Sequence, residues 1–191
     1  MKRKAAATGT MALCVSALLF ASAATASAQD DAPPEPAGYW QGAMNGRVPA
    51  TISGGTVIVT KDLAELIATE KPVLVDVVPA PRRPPGQTTG WLPLPHRNIP
   101  GSVWIPGLGS GVISTEMKNY AHRRLEELTG HDSAKLIVVY CRANCRASWN
   151  AAKRVIVEGY PRVYWYPDGI EAWQDAGLST KVVSPEGPGV E

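Results

Sequence analysis

Apolar residues along this chain keep switching between an alternating pattern and a helical one. "TVIVT" at residues 56–60 alternates and predicts a strand, with Thr60 placed to cap the short helix pattern "KDLAELIAT" that follows. "PVLVDVV" at 72–78 is a continuous apolar run interrupted by one aspartate, as suits a strand buried on both faces. "SVWIP" predicts a brief strand. "STEMKNYAHRRLEELTG" predicts an amphipathic helix, with Met117, Ala121, Leu125 and Leu128 on one stripe and Gly130 as its cap. "KLIVVY" at 135–140 is the most apolar strand pattern in the chain. After it come a helix pattern "RASWNAAKRVIVEG", a strand "RVYWY" at 162–166, and a short helix "GIEAWQDAG" ended by Gly177. This alternation predicts a single α/β domain with a mainly parallel central sheet and helices on both faces.

The longest break in the pattern lies between Val78 and Gly101, where seven prolines fall in "PAPRRPPGQTTGWLPLPHRNIPG". Such a segment cannot be a helix and would lose ladder bonds as a central strand, so it reads as a long ordered loop. It leaves the carboxyl end of a strand, which makes Trp91 a candidate binding residue. Arg82, Arg83, His96 and Arg97 could add positive charge there, although a solvated loop accounts for them equally simply. Trp104, Trp165 and Trp173 lie within strand or helix patterns and read as core.

Residues 1–28 have the form of a secretory signal peptide. Lys2, Arg3 and Lys4 precede the apolar stretch "MALCVSALLFA", which is too short to span a bilayer, and a small-residue cleavage pattern ends near Ala28. A periplasmic or secreted protein without a membrane anchor is expected. Residues 29–55 then form a lead segment, beginning with the proline-rich, acidic "QDDAPPEPAG", which has nothing to bury. The domain covers 56–180, and 181–191 read as a flexible tail. Without the signal the 19 basic residues fall to 16 against 17 acidic ones, a balance that implies no nucleic-acid partner.

Cleavage also removes Cys14 and leaves Cys141 and Cys145. A disulfide between positions four apart removes little entropy from the unfolded chain, so these thiols read as chemical rather than structural. If residues 136–140 are a central parallel strand, Cys141 lies just beyond its carboxyl end, where open α/β sheets place their ligands. The next helix points its unsatisfied amides and positive dipole end there, and Arg142 and Arg146 add full charges. These features favour a thiolate, expected on Cys141. Fewer than the required metal ligands are in sight, and His96, His122 and His131 show no metal spacing, so no metal is expected.

"VVYCRANCRASWNAAK" resembles the active-site loop of rhodanese-like sulfurtransferases. "PVLVDV", "NIPGSVWIP" and "DGIEAWQDAGL" resemble further motifs of that family and occur in the same order, so the likeness runs from about Thr56 to Leu178. It implies a rhodanese-like fold in which Cys141 carries sulfur as a persulfide and Arg142 to Arg146 form the rest of an amide cradle. Arg142, Ala143, Asn144 and Ala147 would then contact the donor, and Arg146 would orient it. Asp76 matches the family's strand-end aspartate, which organises backbone. Asn144 replaces the usual glycine, which restricts the loop's tightest position, and Cys145 stands where a non-thiol residue is usual. Cys145 would either resolve the persulfide through a disulfide or fill space under the cradle.

"RNIPGSVWIP", "SWNAAKR" and "VYWYPDG" also resemble the small exported proteins named for a CXXCW motif and for PQQ-dependent catabolism, although Arg146 replaces the tryptophan expected after the second cysteine. That likeness implies an association with PQQ-dependent alcohol catabolism through a periplasmic dehydrogenase system, with no PQQ bound to this chain. The expected partners are a small anionic sulfur donor and a thiophilic acceptor. Two alternatives remain: a thiol–disulfide protein using Cys141 and Cys145, and a non-catalytic rhodanese-fold binding module. A cysteine phosphatase would need arginine at position 147, where Ala147 stands.

Overall fold

The computed structural model describes residues 32–81, 85–86 and 95–188. The signal segment with Cys14, the first residues of the lead segment, Arg82, Arg83, Trp91 and the last three residues lie outside the described residues. Among the described residues, five strands make one parallel sheet: β1 (Thr56–Val57), β2 (Val73–Asp76), β4 (Ser102–Trp104), β5 (Ile137–Tyr140) and β6 (Val163–Tyr166), in the order β1-β6-β5-β2-β4. A separate antiparallel pair joins β3 (Arg97–Asn98) to β7 (Lys181–Val182).

Strand periodicity divides the core into two layers. Val75, Ile137, Val139, Val163 and Trp165 point to the face covered by α2 (Thr115–Thr129) and α3 (Arg146–Val157). Leu74, Val138, Tyr140 and Tyr166 point to the other face, where Leu63 of α1 (Thr60–Glu70) and Ile170 and Trp173 of α4 (Gly169–Asp175) pack. All of β5 is buried, so the expected mainly parallel α/β sheet with helices on both faces is present. Trp104, Trp165 and Trp173 are buried as the pattern predicts. Ser114 caps α2 by accepting from the Met117 amide, and Gly130 ends it in the left-handed conformation. Thr60 departs from expectation. Val59 holds the N-cap position of α1, and the Thr60 hydroxyl lies 2.7 Å from that of Tyr166 instead.

Both chain ends are more closely bound than their composition suggests. Ile52 is a core residue, and Trp40, Met44 and Val48 pack against the α3 side. The buried Asn150 of α3 fixes this lead segment: its Oδ1 accepts from the Trp40 amide at 2.8 Å and its Nδ2 donates to the Trp40 carbonyl at 3.0 Å. Four apolar residues dispersed among polar ones suffice to dock an irregular chain, which average composition conceals. At the other end, the Glu186 amide donates to the Trp104 carbonyl at 2.8 Å and Arg124 pairs with the Glu186 carboxylate at 2.8 Å. Residues 181–188 therefore cover the β4 edge of the sheet instead of trailing away from it.

The carboxyl ends of the strands are organised around Asp76, whose side chain is fully buried. One oxygen accepts from the Val78 amide at 2.8 Å, and the other accepts from Asn98 at 2.9 Å and lies 2.8 Å from His96 Nε2. His96 also stacks on Trp104, with ring centroids 4.6 Å apart, so it is a packed residue of the sheet edge rather than a solvated loop residue. Asp76→Ala would strand these donors without an acceptor and is expected to cost about 3 kcal/mol of folding stability. Urea denaturation measures this, and a loss below about 1 kcal/mol would show that the donors find other partners.

Candidate active site

Cys141 is the first residue after β5, the middle strand of the sheet, and the loop it opens ends at the start of α3. Tertiary contacts hold this loop from two sides. On one side is the start of α4, where the Ile170 amide donates to the Cys141 carbonyl at 3.0 Å and the Ala143 amide donates to the Glu171 carboxylate at 2.9 Å. Gly169 permits this approach. It has φ +71°, and a Cβ on it would sit 2.4 Å from both Arg142 C and Ala143 N and 2.8 Å from the Cys141 carbonyl oxygen. A side chain at 169 would therefore displace the loop as well as strain its own backbone.

The lead segment holds the other side. Gly46 donates its amide to the Asn144 carbonyl at 2.9 Å, the Arg146 amide donates to the Met44 carbonyl at 2.7 Å, and Asn45 and Cys145 pair as a short antiparallel bridge. Asn144 takes the left-handed conformation with φ 54°, which asparagine tolerates better than most residues. The curl that glycine usually supplies is therefore present.

The two thiols sit inside this frame, with Cys141 0% and Cys145 3% exposed. The Cys141 and Cys145 side chains are hydrogen-bonded to each other. That contact, together with burial and the nearby charge of Asp76, pushes the Cys141 pKa up. The same contact lowers Cys145 to about 7, aided against burial by the amides of Ala147 and Ser148 at the start of α3 and by that of Arg142. Of the two, Cys145 is the thiol whose surroundings lower its pKa. The helix amides converge on the residue that begins the helix, whereas Cys141 ends a buried strand beside a carboxylate.

The placement of Arg146 also differs from expectation. Its guanidinium donates to the carbonyls of Arg47 at 3.1 Å and Ala43 at 3.3 Å and stacks 4.3 Å over the Trp40 ring. It fastens the lead segment to the loop. Arg142, Ala143 and Asn144 form the exposed crest of the loop, and Ala147 is buried beneath it. Asp76 lies on the neighbouring strand, opposite Tyr140, and the Val77 amide donates to the Tyr140 carbonyl at 2.9 Å. Glu171, Gly169 and residues 43–47 escaped the sequence reading. The "DGIEAW" motif flagged the first two only as part of a helix and of the family pattern, and residues 43–47 carry no pattern.

No group of three or more His, Cys, Asp or Glu side chains suited to a metal exists among the described residues. A cavity of about 390 Å³ lies between α2 and α3, lined by Leu108, Ile113, Ala121, Leu125 and Val155 among others. None of its lining residues belongs to the cysteine loop.

The family model of the rhodanese-like domain matches residues 59–176. No curated protein matches the chain. Solved structures similar to it include the BH2092 protein from Bacillus halodurans, 22% identical, covering 66% of this chain and 77% of its own with a TM-score of 0.45. An uncharacterized protein from Saccharomyces cerevisiae is 23% identical and covers 64% of this chain and 92% of its own, with a TM-score of 0.39. Neither likeness narrows the chemistry.

Ultraviolet titration is expected to show a first thiolate forming with a midpoint of about pH 7. Cys141→Ala, which removes the partner thiol, should move the remaining midpoint up by about one unit or more. Because the folded pKa lies below the unfolded value of ~8.5, this thiolate's contribution to stability is complete above that pH and is lost as pH falls through about 7. A first midpoint in the parent protein at the ordinary thiol value would show that the loop holds no thiolate.

Proposed function

Because the chain belongs to the rhodanese-like domain family, we propose that it takes sulfane sulfur onto Cys141 as a persulfide and passes it to a thiophilic acceptor. The family is of a sulfurtransferase-type fold. The observation that carries the proposal is the hydrogen-bonded thiol pair at the carboxyl end of the central strand, joined to the start of a helix. Cys141 occupies the family's sulfur-bearing position, and Cys145 is the thiol of lowered pKa beside it.

In the proposed reaction Cys145 acts as base. As a donor approaches, the Cys141 proton passes to the Cys145 thiolate, and the Cys141 sulfur attacks the donor's sulfane sulfur. The bond between that sulfur and its carrier breaks, and the carrier leaves with the electron pair. The product is a Cys141 persulfide, whose negative charge the amides at the start of α3 favour. The acceptor nucleophile then attacks the outer sulfur, and Cys141 leaves as a thiolate and regains its proton from Cys145.

The thiol contact also favours a second reading, in which the Cys145 thiolate attacks Cys141 Sγ of the persulfide and expels hydrosulfide. A Cys141–Cys145 disulfide results, and an external thiol must reduce it before the next cycle. The proposed setting is the periplasm, beside a dehydrogenase system of PQQ-dependent catabolism. Support comes from the signal-like residues 1–28 and the resemblance to the exported CXXCW-motif proteins, although the family match does not extend to that group. No helix among the described residues is long and apolar enough to cross a membrane.

Intact-mass measurement after exposure to a sulfane donor is expected to show the gain of one sulfur atom in the parent protein and none in Cys141→Ser. Cys145→Ser should still gain the sulfur, about a hundredfold more slowly, which is the scale of a lost general base. Uptake by Cys141→Ser would transfer the sulfur-bearing role to Cys145. Release of hydrosulfide with an internal disulfide in the parent protein would favour the second reading.

A further inference from the structure

Two groups of the cysteine loop suited to greeting an anion are already engaged. The Ala143 amide on the exposed crest donates to the carboxylate of Glu171 at 2.9 Å. The Arg146 guanidinium is held by two lead-segment carbonyls and the Trp40 ring. Two further carboxylates lie near the loop. Asp168 adjoins Gly169, which touches the loop, and Asp76 acts on Cys141 from the sheet side. Arg142 on the crest is exposed to solvent, where its charge is screened.

We propose that this site selects sulfur donors without negative charge, such as the protonated form of an alkyl hydropersulfide, and that Glu171 is the specificity-determining residue that repels dianions such as thiosulfate. The inference rests on the sulfur-carrier reading above and reverses the anionic donor expected from the arginines. The Glu171 carboxylate is bonded to the exposed crest of the loop, at 2.9 Å from the Ala143 amide. Transfer from the neutral donor balances without a further reagent. Cys141 attacks the outer sulfur of RS–SH, the S–S bond breaks, and RS⁻ leaves with the electron pair. The proton that Cys141 gave to Cys145 is passed to RS⁻, giving RSH and a Cys141 hydropersulfide.

Iodoacetamide and iodoacetate alkylate thiols by the same displacement and differ by one charge, so the ratio of their rates reads the charge selection apart from sulfur chemistry. In the parent protein the ratio of neutral to anionic rates at the cysteine loop is expected to exceed that for free cysteine by about tenfold or more. Glu171→Gln keeps an acceptor for the Ala143 amide and removes the charge, and should bring the ratio down by about tenfold. The relative rate of sulfur uptake from thiosulfate against an alkyl hydropersulfide should shift in the same sense, toward thiosulfate. A ratio equal to that of free cysteine in the parent, or one unmoved or raised by Glu171→Gln, overturns the proposal. If the ratio shifts as expected but no donor delivers sulfur, charge selection stands and the sulfur-carrier reading fails. Sulfur uptake with an unshifted ratio sinks charge selection alone.

Discussion

Everything the thiols do depends on how the backbone between Cys141 and Arg146 is held. Four hydrogen bonds with remote segments fix it: Ile170 to the Cys141 carbonyl, Ala143 to the Glu171 carboxylate, Gly46 to the Asn144 carbonyl, and Arg146 to the Met44 carbonyl. A short turn between a strand and a helix would otherwise sample many conformations, each ordered residue costing about 1–2 kcal/mol of entropy. With the turn fixed, the two sulfurs meet in a hydrogen bond, and the amides opening α3 face the second of them. The glycine at 169 and the left-handed Asn144 are the local concessions that let α4 and the lead segment approach together.

That geometry gives the two cysteines different electrostatic surroundings although they lie four residues apart. Cys141 ends a strand whose every residue is buried and which pairs with the strand carrying Asp76. Asp76 serves the fold by accepting from Val78, His96 and Asn98, and the charge that binds those donors also disfavours a second anion at Cys141. Cys145 is farther along the loop and begins a helix, so the helix dipole and orphan amides act on it first. One buried carboxylate thus organises the rim and adds to the contact and the burial that raise the Cys141 pKa.

Much of the fold was legible because apolar periodicity reports burial directly. The run at residues 136–140, apolar at every position, could only be a strand covered on both faces, and the stripe through Met117, Ala121 and Leu125 could only face a core. The position of Cys141 at the strand end followed from the same logic. Thr60 misled because capping depends on where the backbone turns, and a hydroxyl near a helix start can find a tertiary partner such as Tyr166. Arg146 misled for a similar reason: sequence shows a charge near the thiols and not the carbonyls of residues 43 and 47, which are far away in the chain and close in space. Glu171 was hidden because a carboxylate in the first turn of a helix normally answers its own helix's dipole, whereas this one answers an amide of another segment.

The family match begins at residue 59, yet residues 40–47 help to build the site. The arginine that the family resemblance would turn toward a donor is bonded to this lead segment, which lies beyond the matched region. The charge once assigned to substrate has become part of the scaffold, and the crest amide that might have met an anion meets Glu171. The matched fold thus sets where the cysteine loop sits, at the end of the central strand. What surrounds it in this chain is a fastened arginine and a carboxylate of α4 bonded to the crest, the two features on which the proposed charge selection rests.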